Sequence, residues 1–154
     1  MEHIVETMTN QAKEIVVAVD GSENGLRALR AAADLADATG RDLALLYVYP
    51  YGRADQRPAE LAAVSESSFE SHKESVSRAV FEAAIAELGS RRRPLKRYLL
   101  VGDPASEIIS FMAENPATHL VLGRRGLSKF KALIMGSVTQ KVTRHANGLV
   151  TVVT

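Results

Sequence analysis

Apolar residues fall along this chain in two alternating rhythms: short unbroken runs, and longer stretches with apolar positions three and four residues apart. Ile15-Val16-Val17-Ala18-Val19 is an unbroken, β-branched run stopped by Asp20-Gly21, which predicts a strand buried on both faces. Gly21-Ser22-Glu23-Asn24-Gly25 is turn chemistry, with Ser22 placed to cap a helix. Leu26, Leu29, Ala33 and Ala36 then recur at helical spacing until Gly40, a residue type suited to follow a helix end. Leu43 to Val48 repeats the buried-strand pattern and ends near Pro50.

The next stretch, 51–65, is the least regular, and connections of that length in compact domains are usually binding loops, lids or disordered excursions. Phe69, Val76, Val80, Ala84 and Leu88 mark a second, longer helix closed by Gly89, followed by a solvated turn at Arg91-Arg92-Arg93-Pro94. Leu95 to Val101 predicts a third strand. Asp103 is placed to cap a helix that begins with Pro104, turns Ile108, Phe111 and Met112 inward and ends at Asn115-Pro116. His119 to Leu122 is a fourth strand, Val138 to His145 a helix, and Leu149 to Val153 a fifth strand. Strands alternating with helices at this spacing predict an α/β fold, a parallel sheet with helices on both faces. Residues 1–12 read as a loose polar lead-in, and 13–154 as a single domain.

Composition narrows the picture only in places. A net charge of +1 argues against wholesale binding of nucleic acid, and without cysteine there is neither a disulfide nor a thiolate site. No apolar run approaches the roughly 20 residues that cross a bilayer, and the N-terminus lacks the pattern of a signal peptide, so a soluble, cytoplasmic protein is expected, with no membrane partner.

The candidate chemistry lies in Gly123 to Ser137, between the fourth strand and the helix that follows. Gly123 and Gly126 can take backbone angles closed to other residues and admit a ligand close to the main chain. Gly136-Ser137 opens a helix, where unpaired N–H groups and the helix dipole favour an anion. Parallel sheets bind ligands beyond the carboxyl ends of their strands, where the strand order reverses. Asp20 ends the first strand as Gly123 ends the fourth, so both line one crevice if those strands are neighbours.

Each residue also has a plainer role. Asp20 can cap its own turn, the glycines can simply make turns, and Ser137 serves as an N-cap under either reading. Lys129 and Lys131 read as solvated charges, Met135 as core, and Asp103 as a helix cap. Asp42, Tyr47 and Tyr49 either flank a base or pack the sheet. The four histidines are scattered without acidic escorts, so no metal ligand is assigned. No Gly-x4-Gly-Lys-Ser/Thr loop, no Gly-x-Gly-x-x-Gly after the first strand and no Gly-x-Ser-x-Gly elbow is present. No catalytic residue is assigned, and binding without efficient turnover is expected.

Gly123-x-x-Gly126, nine residues, then Gly136-Ser137 resembles the nucleotide-binding signature of the universal stress protein family. Ile15 to Ser22 resembles that family's opening strand and turn, Gly102-Asp103-Pro104 its third turn, and Gly136 to Val142 its last helix. The resemblance implies a doubly wound five-stranded sheet of order 3-2-1-4-5 that binds ATP with a divalent ion, Mg²⁺. It implies Val19, Asp20 and Val48 on the adenine side. Gly123, Gly126, Gly136, Ser137 and Val138 would hold ribose and phosphates, with Arg125 within reach of a phosphate. It also implies a homodimer through Leu149 to Val153, although Asn147-Gly148 stands where the family usually has a proline. Three functions are expected to compete: an ATP-binding regulator or sensor of stress, a slow ATPase, and a dimeric interaction module whose site stays empty.

Overall fold

A computed structural model of the chain describes residues 14–51, 66–125 and 135–154. The lead-in, the irregular stretch after Tyr51 and the glycine loop from Gly126 through Lys129 and Lys131 lie outside the described residues.

Strand β1 (Glu14–Ala18) turns at Asp20 into helix α1 (Glu23–Thr39), whose start is fixed by Ser22. The Ser22 hydroxyl oxygen accepts the Gly25 N–H at 3.1 Å, satisfying one of the amides a helix leaves unpaired at its start. Gly40 closes the helix in the left-handed conformation (φ 66°) that a side chain would disfavour. Strand β2 (Asp42–Pro50) is buried at every position from Leu43 to Tyr49, as a strand covered on both faces must be. Helix α2 (Glu66–Leu88) leads through a short 3₁₀ turn at Gly89–Arg91 to strand β3 (Lys96–Gly102). Helix α3 (Pro104–Glu114) is capped by Asp103, which accepts the Ser106 N–H at 3.1 Å. Strand β4 (Thr118–Gly123), helix α4 (Ser137–His145) and strand β5 (Leu149–Val153) complete the order.

All five strands are parallel, in the order β3-β2-β1-β4-β5. The strands alternate which face they offer, so two cores form. Ile15, Val17 and Val19 pack with Leu45, Tyr47 and Tyr49 beneath α1 and α2. Val16, Leu46, Val48, Leu120 and Leu122 pack with Ile108, Phe111, Met112 and Val142 of α3 and α4 on the other face. Each fully buried Val, Leu or Ile contributes roughly 1.5–3 kcal/mol, so these layers outweigh any single polar contact in holding the sheet.

Three expectations change in detail. The arginine turn is not merely solvated: Arg91 pairs with Asp34 and Asp37, and Arg93 with Asp37, tying the end of α1 to the entry of β3. Tyr47 and Tyr49 are packing residues, set edge-on against Phe81 and Phe69 of α2. Met135 is half-buried and sits in a bend, outside both cores.

Candidate functional site

From β1 the chain steps outward through β2 to β3; from β4 it steps the opposite way to β5. The reversal falls between β1 and β4, which run side by side with Val17 in register with Val121. Crossovers leave in opposite directions from these two strands, and sheets of this kind take their ligands beyond the carboxyl ends of such a pair. Asp20 and Gly123 therefore stand at the carboxyl ends of neighbouring strands, the adjacency that the residue pattern left open.

On the β1 side, Asp20 caps its own turn: its Oδ1 accepts the Ser22 N–H at 3.0 Å and the Ser22 hydroxyl at 2.5 Å. The plain role expected of Asp20 is thus present, with its second oxygen outside that pair of bonds. Val19 and Val48 are both buried at the carboxyl ends of β1 and β2, Val19 facing the α1–α2 core and Val48 the α3–α4 core. Burial pushes the Tyr47 phenol above its usual range, and nearby Tyr49 and Asp20 add to this, so Tyr47 is neutral near neutrality.

On the β4 side, Gly123 does not use the conformational freedom expected of it. It lies in β4 and is absent from the glycines with positive φ. It is needed because α1 starts against it: a Cβ there would stand 2.8 Å from the Asn24 carbonyl oxygen. Behind it, Thr139 donates its hydroxyl to the Gly123 carbonyl at 2.8 Å in a buried position. The starts of α1 and α4 therefore converge on one residue, from opposite sides. The Arg124 N–H donates to Val153 O of β5, and the Gly136 N–H donates to Arg124 O, both at 2.9 Å, the second bond joining the two ends of the glycine loop. Arg125, half-buried, closes the described part of β4's exit.

Helix α4 corrects the reading of Ser137. The N-cap is Gly136 (φ −68°, ψ 155°), which has no side chain to cap with, and Ser137 is the exposed first residue of the helix. The first bond within the helix runs from the Gln140 N–H to Gly136 O at 3.0 Å. The amides of Ser137, Val138 and Thr139 come before it, at the positive end of the helix dipole, and the N-cap Gly136 offers them no side-chain oxygen. Gly126 lies outside the described residues. Asp103 is a helix cap, as expected: the Ser106 hydroxyl, its N–H and then the Lys141 charge hold its carboxyl below the usual range.

Two contributors escaped sequence reasoning. Thr139 is polar yet buried, on the same helix face as buried Val142 three residues on, and that spacing is the signal that marks it as more than a surface residue. The Asn24 contribution is a backbone oxygen, which leaves no trace in residue identity.

Among the described residues, no helix is long and apolar enough to cross a membrane, and no three His, Cys, Asp or Glu side chains stand together to hold a metal ion. A groove of about 310 Å³ on the outer face of α2, lined by Ser71, Glu74, Ser75, Arg78 and Glu82, shares no residue with the crevice.

A doubly wound parallel sheet of order 3-2-1-4-5, with its switch point between β1 and β4, defines an open α/β domain. The sequence pattern of the universal stress protein family matches residues 11–154, and the chain belongs to that family. It is 27% identical to Universal stress protein MJ0531 of Methanocaldococcus jannaschii over 155 aligned positions, covering 99% of this chain and 88% of that protein. Among solved structures it resembles universal stress protein UspA from Lactobacillus plantarum, with a TM-score of 0.75 and 23% identity over 92% of this chain and 97% of the other. It also resembles a universal stress protein crystallised in complex with cAMP, with a TM-score of 0.61 and 26% identity over 92% of this chain and 97% of the other.

Proposed function

We propose that this chain binds an adenine nucleotide, ATP, across the switch point, and that occupancy rather than turnover is its output, making it a nucleotide-dependent regulator or sensor in a stress response. One observation carries the reading. Helix α4 starts without a side-chain cap beside the point where β1 and β4 part, offering three amides to an anion where sheets of this kind take their ligands. The related structure that holds cAMP supports the adenine nucleotide class.

In this reading the phosphates and ribose lie along Gly123, Arg125, Gly126, Gly136, Ser137 and Val138, while Val19, Asp20 and Val48 meet the base. Asp20 has one oxygen engaged by Ser22 and the other to offer a ligand donor. Mg²⁺ would be carried by the phosphates. The binding domain spans 13–154 and acts in the cytoplasm.

Two copies pair through β5. Its five residues carry no charge and Leu149 is 57% exposed, whereas the opposite edge strand carries exposed Lys96 and Arg97, which resist edge-to-edge pairing. Sedimentation of the protein and of a Val152→Lys variant checks the pairing, a dimer unaffected by the added charge counting against it.

Calorimetric titration of the purified chain with ATP and Mg²⁺ tests the nucleotide reading. Saturable binding is expected. No detectable heat or occupancy at millimolar nucleotide would sink it.

A further inference from the structure

His119 stands on β4 between Ile15 of β1 and Leu149 of β5. It shares the face of Val121, beneath α1. Its Nε2 lies 2.7 Å from the Thr151 hydroxyl, two residues along β5. Its Nδ1 is buried and, among the described residues, has no hydrogen-bond partner. Together these contacts select the tautomer. With the proton on Nε2, the ring donates to Thr151 and leaves a bare lone pair at Nδ1. With the proton on Nδ1, a buried N–H would lack an acceptor, the costlier arrangement.

Acid removes that choice, because an imidazolium carries N–H on both nitrogens. The charged group acting on the ring is Arg41, just beyond the end of α1, and it has the wrong sign to help. Glu14 of the neighbouring strand is turned to the opposite face, where it accepts from the Tyr98 hydroxyl. Asp37, in the last turn of α1, is held by Arg91 and Arg93. β5 supplies Thr151 and no charge. Burial, and then Arg41, accordingly hold the imidazolium below its ordinary range.

β5 is the element exposed to this conflict. Among the described strands it is an edge that pairs with β4 alone, and the His119–Thr151 bond links side chains across that pairing. Its far end supplies Val153 O to the Arg124 N–H at the mouth of the crevice. We propose that His119 is an acid-sensitive latch: protonation drives the ring from its place beneath α1, breaks its bond to Thr151 and loosens β5 together with the backbone at Arg124. The latch stands whether or not the crevice binds a nucleotide.

Amide hydrogen exchange, resolved by residue from about pH 7.5 to about pH 5 and corrected for the intrinsic rate, tests it. One proton taken up on opening lowers the protection of the β5 amides by up to about tenfold per pH unit below the unfolded histidine value near 6.5. The Arg124 amide should fall with them while those of β1 hold. His119→Gln keeps a donor for Thr151 without titrating, and His119→Leu removes the polar ring altogether; both should flatten the β5 profile. Protection in β5 that follows β1 at every pH overturns the latch, as does a fall that persists in both variants. An NMR titration of the wild-type ring gives a check that needs no variant, and a midpoint at or above about 6.5 overturns it as well.

Discussion

The Thr139 hydroxyl donates to the Gly123 carbonyl at 2.8 Å, joining the third residue of α4 to the last residue of β4 in a buried setting. That bond closes the base of the glycine loop, whose ends are separated by the residues from Arg124 to Gly136. Removing its donor leaves a buried carbonyl unpaired at about 1–3 kcal/mol. Thr139→Val is therefore expected to lower unfolding free energy by about that amount in urea, with an unchanged denaturant slope, and Thr139→Ser to recover most of it.

Gly123→Ala should destabilise for a different reason. The new Cβ would stand 2.8 Å from a backbone oxygen, that of Asn24, and backbone cannot swing aside as a side-chain end can. Overpacking of this kind usually costs about 1–3 kcal/mol, paid by a shift of the start of α1. Thermal melting and the chemical shifts of Ser22 to Gly25 check it; a variant as stable as the parent with unmoved shifts would refute the contact.

Ser137→Pro separates ligand binding from folding. Proline is favoured at the first position of a helix, and the extended Gly136 before it (ψ 155°) suits a following proline. The substitution removes one of the amides offered to phosphate and little else. A hydrogen bond to a charged group contributes about 1.5–3 kcal/mol, so ATP affinity should fall roughly 10- to 100-fold in calorimetry while the melting temperature stays put.

Asp103 should contribute to the acid limb of stability. The Ser106 hydroxyl and N–H lower its folded value relative to the unfolded chain. The unfolded state then binds more protons, so the stabilisation is full above the unfolded value near 3.9 and is lost as pH falls through the folded one. Asp103→Asn keeps a capping oxygen but cannot titrate, and its stability should vary less than the parent's between about pH 4 and about pH 2. Parallel profiles for the two proteins would count against the assignment.

The fold was largely legible because the dominant forces leave local marks. Seven consecutive buried positions in β2 show in the sequence as an apolar run, and Ser22, Gly40 and Asp103 mark helix ends by residue chemistry. The candidate site was legible in part. Glycine at 123 was visible, but its reason was not: what excludes a side chain there is a carbonyl oxygen 99 residues earlier in the chain. Ser137 was misread as a cap because serine before a helix usually is one. Here the chain enters the helix one residue earlier, with Gly136 extended and anchored by its N–H to Arg124.

The sequence by itself determined the alternation of strands and helices, most of their ends and the residue types offered to a ligand, because hydrophobic period, capping and turn chemistry act over a few residues. The tertiary structure bore out the strand order that the family resemblance implied and the residue pattern left open, with β1 beside β4, and it alone decided that Gly123 lies against the Asn24 carbonyl and that His119 meets Thr151 across an edge. Those relations depend on the order in which strands pair and on close approach between distant segments. Contacts of that range are set by packing the whole chain, and no single stretch of residues records them.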